Sequence, residues 1–188
     1  MEDLKYKIAV SLIPGIGDIS AKKLIAHCGG AEAVFKEKKS KLLKIPGFGE
    51  KVVKSIQSAK VMERAEEEVE FIAKNDIKPL YYLDKEYPQR LLHCEDGPII
   101  LYSKGNVDWN AQKMVSFVGT RMATVKGKAI CEKLIDELKT HNATIVSGLA
   151  YGIDITAHQA ALKAGLPTIG ILACGLDEVY PKTSYTNS

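Results

Sequence analysis

At 188 residues, with 46% apolar and 26% charged residues, the chain can bury a full core and a smaller second one. Its composition is that of a soluble globular protein; with no apolar run of 18 residues and no signal-peptide layout at Met1-Glu2-Asp3-Leu4-Lys5, a cytoplasmic protein is expected. The net charge of +3 conceals an asymmetry: residues 1–62 carry 12 lysines against 6 acidic residues, while residues 63–188 sum to −3, so basic charge gathers at the N-terminal end in a layout suited to polyphosphate.

Helical periodicity runs from residue 3 to 73 and is broken at two copies of one pattern. The first reads Ile13-Pro14-Gly15-Ile16-Gly17, followed by Ala21 and Leu24; the second reads Ile45-Pro46-Gly47-Phe48-Gly49, followed by Val53 and Ile56. The offset is 32 residues, Gly15 mapping to Gly47 and Gly17 to Gly49. A tight glycine turn that opens a helix presents free N–H groups and a positive dipole end, and so forms a seat for phosphate. The pattern resembles the helix-hairpin-helix motif of DNA-repair and recombination proteins, in a double arrangement over about residues 8–60. Such motifs hold the nucleic-acid backbone without reading bases. The competing reading is a plain helical hairpin, in which Pro-Gly ends one helix and frees the next. A domain over residues 1–62 follows from either reading.

Residues 63–76 form a strongly acidic helix, read as a connector with one wet face, in which Arg64 and Lys60 offer helical ion pairs. The period then changes. Strands are predicted at 78–83 and 99–102, with a short helix from Tyr87-Pro88 to His93 between them and a turn at Gly105-Asn106. From residue 113 strands and helices alternate: strands at 114–118, 144–147 and 168–173, helices at 125–141 and 153–164. Apolar strands separated by helices predict a parallel sheet covered on both faces. Cys28, Cys94, Cys131 and Cys174 show no metal-ligand spacing and no disulfide framework, and buried free thiols are expected.

The three late strands each lead to a glycine, Gly119, Gly148 and Gly175, which places all three on one carboxyl edge of the sheet. Arg121 follows Gly119-Thr120 and precedes a helix capped by Thr124, so its guanidinium stands beside helical N–H groups, a strong arrangement for phosphate. Gly119, Thr120, Arg121 and Gly148 are therefore candidate DNA or phosphate contacts, along with Gly15, Gly17, Gly47 and Gly49. The alternative is that the glycines only pack strand ends against helices. No GxGxxG or GxxxxGK[ST] spacing is present and no acidic residue ends the second strand, so dinucleotide chemistry and ATP hydrolysis lose support. Asp154 and His158 stand one helical turn apart; with no nucleophile or metal cluster beside them, a buttressing role outweighs an acid–base one.

Several strings resemble the DprA/Smf family, the DNA-processing proteins of natural transformation. They are Tyr87-Pro88 with Leu91, Pro98-Ile99-Ile100-Leu101-Tyr102, Lys104-Gly105-Asn106 and Val118-Gly119-Thr120-Arg121. The most specific is Ser147-Gly148-Leu149-Ala150-Tyr151-Gly152-Ile153-Asp154 with Ala157-His158, joined by Gly165, Cys174-Gly175-Leu176-Asp177 and Tyr180-Pro181. The resemblance implies an α/β protein: a helical double helix-hairpin-helix domain, then a Rossmann-like parallel-sheet domain over 77–188. That sheet is expected to be incomplete at its C-terminus, with an unpaired strand and exposed apolar helix faces. It also implies a non-enzymatic role with no cofactor and no metal. Implied activities are binding and protection of incoming single-stranded DNA, duplex contact through the hairpins, loading of the RecA recombinase and a homodimer in the full-length form. The Gly-Thr-Arg loop at 119–121 would belong to the DNA site, and Tyr151 is a candidate for stacking on a base. Two alternatives stay open, a nucleotide-processing enzyme on the same scaffold and a helical protein-interaction module.

Overall fold

The computed structural model describes residues 2–177, so Tyr180-Pro181 and the tail at 182–188 lie outside the described residues. The chain divides into two compact units, Met1–Asn110 and Ala111–Ser188. The first unit holds two antiparallel strands and the second holds three parallel strands.

In the first unit, α1 (Glu2–Ser11) packs against α2 (Asp18–Cys28), α3 (Ala31–Lys36) and α6 (Ala59–Lys74), with α4 (Lys39–Leu42) and α5 (Glu50–Ile56) between α3 and α6 in the chain. The 32-residue repeat is visible in three dimensions. Val10, Ile13, Ile16, Ala21 and Leu24 are buried, and so are their counterparts Leu42, Ile45, Phe48, Val53 and Ile56. The backbone repeats too. Gly15 and Gly47 take φ of +84° and +91°, and Gly17 and Gly49 are both extended N-caps, of α2 and α5. In each turn the amide two residues after proline donates to the carbonyl of the residue before it, Ile16 to Ile13 and Phe48 to Ile45, both at 3.1 Å. A position with φ near +85° suits glycine and penalises residues with a Cβ, which is why the pattern recurs with glycine in the same place.

The acidic helix is not a free-standing connector. α6 runs along α1, burying Val61, Ala65 and Ile72, while Glu66 pairs with Lys5 and Arg64 pairs with Glu67 and Glu68 on the wet side. Strands β1 (Lys78–Tyr81) and β2 (Ile100–Ser103) then pair antiparallel, with Leu80 opposite Leu101. The loop between them includes a 3-10 turn at Gln89–His93 and is fastened by the buried Tyr87, whose hydroxyl donates to Pro98 O at 2.5 Å. This hairpin packs with the helices, so the division falls after Asn110 and not at residue 77.

The second unit runs β3 (Met114–Ser116), α7 (Val125–Leu138), a 3-10 turn at Lys139–His141, β4 (Thr144–Gly148), α8 (Ile153–Ala164) and β5 (Thr168–Ile171). The strands lie in the order β3-β4-β5, all parallel, with Val115 opposite Ile145 and Ile145 opposite Thr168. The expectation of helices on both faces is corrected here. With strands in sequential order, two right-handed crossovers put both helices on the same side. Cys131 and Ile135 of α7 accordingly cluster with Ala157 and Ala161 of α8 around Ile145. Helix α8 is capped at its end by Gly165 in the left-handed region, and Thr124 caps α7, its Oγ1 accepting from Gly127 N at 3.1 Å. Burial pushes the Cys131 thiol up, with Glu132 adding to the shift, so it stays protonated. The other thiols do not share its burial: Cys28 and Cys174 are half-buried and Cys94 is exposed. Among the described residues no helix is long and apolar enough to cross a membrane.

Candidate nucleic-acid interface

Three stretches converge at the carboxyl edge of the parallel sheet. The loop after β3 stays hydrogen-bonded to β4 for one more residue, Phe117 N donating to Val146 O at 2.8 Å, and Ser147 Oγ returns a bond to Phe117 O at 2.7 Å. Beyond that point it turns outward. Thr120 Oγ1 accepts from Met122 N at 3.1 Å, and Thr120 O accepts from Ile153 N at 3.2 Å, tying the Gly-Thr-Arg loop to the first turn of α8.

Glycine leaves little spare room where these stretches meet. A Cβ on Gly119 would stand 2.5 Å from Ile153 Cγ1, and one on Gly148 would stand 2.5 Å from Asp154 Oδ2. At Gly152, with φ of +85°, a Cβ would overlap Thr120 O and the Arg121 carbonyl. At Gly152 backbone is pressed on backbone, while at Gly119 and Gly148 side chains of α8 lie over the glycine. Gly119, Thr120, Arg121 and Gly148 are brought together here, whereas Gly15, Gly17, Gly47 and Gly49 lie in the first unit, all four exposed.

Asp154 and His158 do not act on each other. The buried His158 bridges Gly148 O through Nε2 and Thr168 Oγ1 through Nδ1, both at 2.7 Å. A carbonyl can only accept, so Nε2 carries a proton, while the Thr168 hydroxyl that meets Nδ1 also donates to Ile145 O at 3.1 Å. His158 therefore pins α8 to the ends of β4 and β5. The carboxylate of Asp154 sits against Gly148, in the first turn of α8, where a negative charge suits the helix dipole. Among the described residues no group of three metal-ligating side chains forms.

The charge around the loop after β3 is positive, and a sum over half the chain conceals it. Between Asp108 and Glu132 lie Lys113, Arg121, Lys126 and Lys128 with no acidic residue at all, inside a half of the chain whose sum is negative. Arg121, Lys126 and Lys128 are exposed around the N-terminus of α7, whose dipole adds to them. Interleaved with these cations are apolar side chains held open to solvent: Val118 at 87%, Met122 at 90% and Val125 at 88% exposure; Tyr151, in the loop before α8, is also exposed. Lys126, Lys128, Val118, Met122 and Val125 are the residues that motif reading passed over. Their signal was apolar and basic residues gathered in the loop after β3 and in the first turn of α7, with no acidic residue among them.

A family model described as DNA recombination-mediator protein A matches residues 78–187, starting at β1. The chain is 32% identical over 183 residues to Protein Smf of Synechocystis sp. (strain ATCC 27184 / PCC 6803 / Kazusa), covering 94% of this chain and 45% of that protein. It is 43% identical over 102 residues to DNA processing protein DprA of Streptococcus pneumoniae, covering 54% and 36%, and 38% identical over 99 residues to that of Bacillus subtilis, covering 52% and 33%. The X-ray structure of DNA processing protein A (DprA) from Streptococcus pneumoniae aligns over 89% of this chain and 61% of its own, with a TM-score of 0.57 at 31% identity. The chain spans about half the length, or less, of the curated relatives it matches. With the parallel sheet, its glycine edge and these matches in agreement, the chain belongs to the DNA recombination-mediator protein A family, that of the DprA and Smf proteins.

Proposed function

We propose that this chain binds single-stranded DNA without regard to sequence, as a cytoplasmic, non-catalytic participant in DNA uptake and recombination. The observation that carries this reading is the exposed stretch 118–128, where Arg121, Lys126 and Lys128 alternate with Val118, Met122 and Val125. A single strand offers both a phosphate backbone and unstacked base faces. Surfaces that hold it combine cations with apolar or aromatic platforms, with no need for base-edge readout. In this reading Gly119 and Thr120 bring the backbone of the loop within reach of the strand, Arg121 clamps phosphate, and Gly148 keeps the edge narrow enough for the loops to meet. The repeated glycine turns at Gly15-Gly17 and Gly47-Gly49 give the first unit a double helix-hairpin-helix domain, and contact with nucleic-acid backbone is its role as a domain. The relatives' names, DNA processing protein and recombination mediator, support a place in this process. Protection of the strand, delivery to RecA and dimerisation of the full-length form extend the reading by resemblance.

Affinity for labelled homopolymers and for mixed-sequence oligonucleotides of one length is expected to agree to within about threefold, since backbone contacts carry no sequence information. Strong preference for one base sequence, or turnover of nucleoside monophosphates by the purified chain, would favour a different function.

A further inference from the structure

The two repeats in the first unit share a core but not a surface. At the 32-residue offset, Lys7 corresponds to Lys39, Asp18 to Glu50 and Lys22 to Lys54. In the first copy all three residues are engaged within the protein. Asp18 Oδ1 accepts from Ile99 N at 2.8 Å, and Lys22 Nζ donates to Glu95 O at 3.0 Å and Cys94 O at 3.4 Å. Lys7 pairs with Asp3 at 2.8 Å and Asp84 at 3.7 Å and lies over the Tyr81 ring. This face of the first copy is the dock for the β1–β2 hairpin and its 94–99 segment.

In the second copy the equivalent residues, Lys39, Glu50 and Lys54, are exposed, and among the described residues they form no hydrogen bond through their side chains and no ion pair. Around them the sequence adds Lys38, Lys41, Lys44 and Lys51, so that residues 38–57 hold six lysines and one acidic residue, Glu50. Only Lys41 of the six is neutralised, by Glu37. Lys51 and Lys54 are one helical turn apart on the side of α5 away from the buried Val53 and Ile56, and Lys44 stands at the entrance to the Ile45-Pro46-Gly47 turn. A concentration of uncompensated lysines on a short, rigid turn costs stability through mutual repulsion unless a polyanion neutralises it.

We infer that the second hairpin alone is a docking surface for the backbone of duplex DNA, through Lys38, Lys39, Lys44, Lys51 and Lys54, and that the first hairpin has exchanged this role for holding the 94–99 segment. The inference rests on the DNA-binding reading above and divides the labour between the two copies. Phosphodiester is favoured over an acidic peptide because the patch offers point charges along a turn, with Glu50 the one acidic residue among them, a layout matched to a regular row of phosphates.

The test is fluorescence anisotropy of the full chain with a short labelled duplex of mixed sequence, over a salt series. The triple variant Lys44→Gln, Lys51→Gln, Lys54→Gln is expected to lose about tenfold or more in duplex affinity at about 0.05 M salt, and to flatten the salt slope by about 1 for each phosphate contact removed. The pair Lys22→Gln and Lys23→Gln is expected to change duplex affinity by less than about twofold. All three lysines of the triple variant are exposed, and its circular dichroism spectrum and melting midpoint establish that it is folded. Equal losses in the two sets, or duplex affinity unmoved by the triple variant, overturn the inference. Displacement of duplex by an acidic peptide at equal charge concentration overturns it too, in favour of a protein partner. Binding of a labelled single strand is measured in parallel: if it is present and falls with Arg121→Ala, the proposed function stands whichever way the hairpins behave.

Discussion

Gly152→Ala is expected to unfold or loosen the second unit, lowering its stability by about 3 kcal/mol or more. Two costs add. The residue sits at φ +85° and ψ −124°, a conformation that L side chains avoid, and the new methyl would overlap Thr120 O and the Arg121 carbonyl. Neither obstacle is a flexible side chain that could swing away; both are backbone of the loop that Ile153 N holds. Relief would have to move the Gly119-Thr120-Arg121 loop itself, so binding of single-stranded DNA should fall with stability. Gly165→Ala gives the comparison. Gly165 also has positive φ, at +72°, but a Cβ there meets nothing within 4 Å. Its cost is expected to stay near about 1 kcal/mol, the conformational penalty alone. Thermal and urea unfolding of the two variants should separate them widely; equal midpoints would show that the contact between the loops is not structural.

Arg121→Ala is expected to weaken single-strand binding by about tenfold at about 0.1 M salt while leaving the melting midpoint unchanged. Arg121 is exposed, so its loss leaves no buried group unpaired. It stands beside the start of α7 with Lys126 and Lys128 close by in the chain, so the phosphate it holds lies in a field that the other cations reinforce. Arg121→Lys should recover part of the loss, because an ammonium keeps the charge but not the two-pronged fork of the guanidinium. Relative affinity among oligonucleotides of different base composition should not move. A folded Arg121→Ala protein with unchanged affinity would remove the Gly-Thr-Arg loop from the interface.

Much of the architecture was legible in the residues. Helix α8 could be placed from Gly152 and Gly165, which stop the pattern at either end, and Thr124 announced the cap of α7 through its hydroxyl. The 32-residue repeat was readable because buried positions and turn glycines recur together. Partnership between distant elements was not readable. Nothing local in 78–83 says whether its strand joins the parallel sheet or pairs with Ile100–Ser103 beside the helices; the side-chain bond from Tyr87 to Pro98 and that from Ile99 N to Asp18 hold the hairpin in the first unit. Likewise, the spacing of Asp154 and His158 suggested a pair, yet His158 turns to Thr168 and Gly148, residues ten positions away on either side.

The candidate site divides in the same way. Its glycines were visible as spacing, while the reason for them, space taken by Ile153, Asp154 and Thr120, depends on how the loops fold back. The basic stretch 113–128 was present in the sequence but vanished in a sum over half the chain. Val118 lies outside β3, which ends at Ser116, two residues earlier than the apolar run implied.

Whether charge on the sheet edge holds the DNA backbone can be read from one titration: single-strand affinity of the purified chain against monovalent salt. If Arg121, Lys126 and Lys128 each neutralise a phosphate, log K should fall linearly with log[salt] at a slope of about −2 or steeper, and Arg121→Ala should flatten it by about 0.7. A slope near zero, or no retention of the strand even in dilute buffer, would mean that the edge is not a polyanion site.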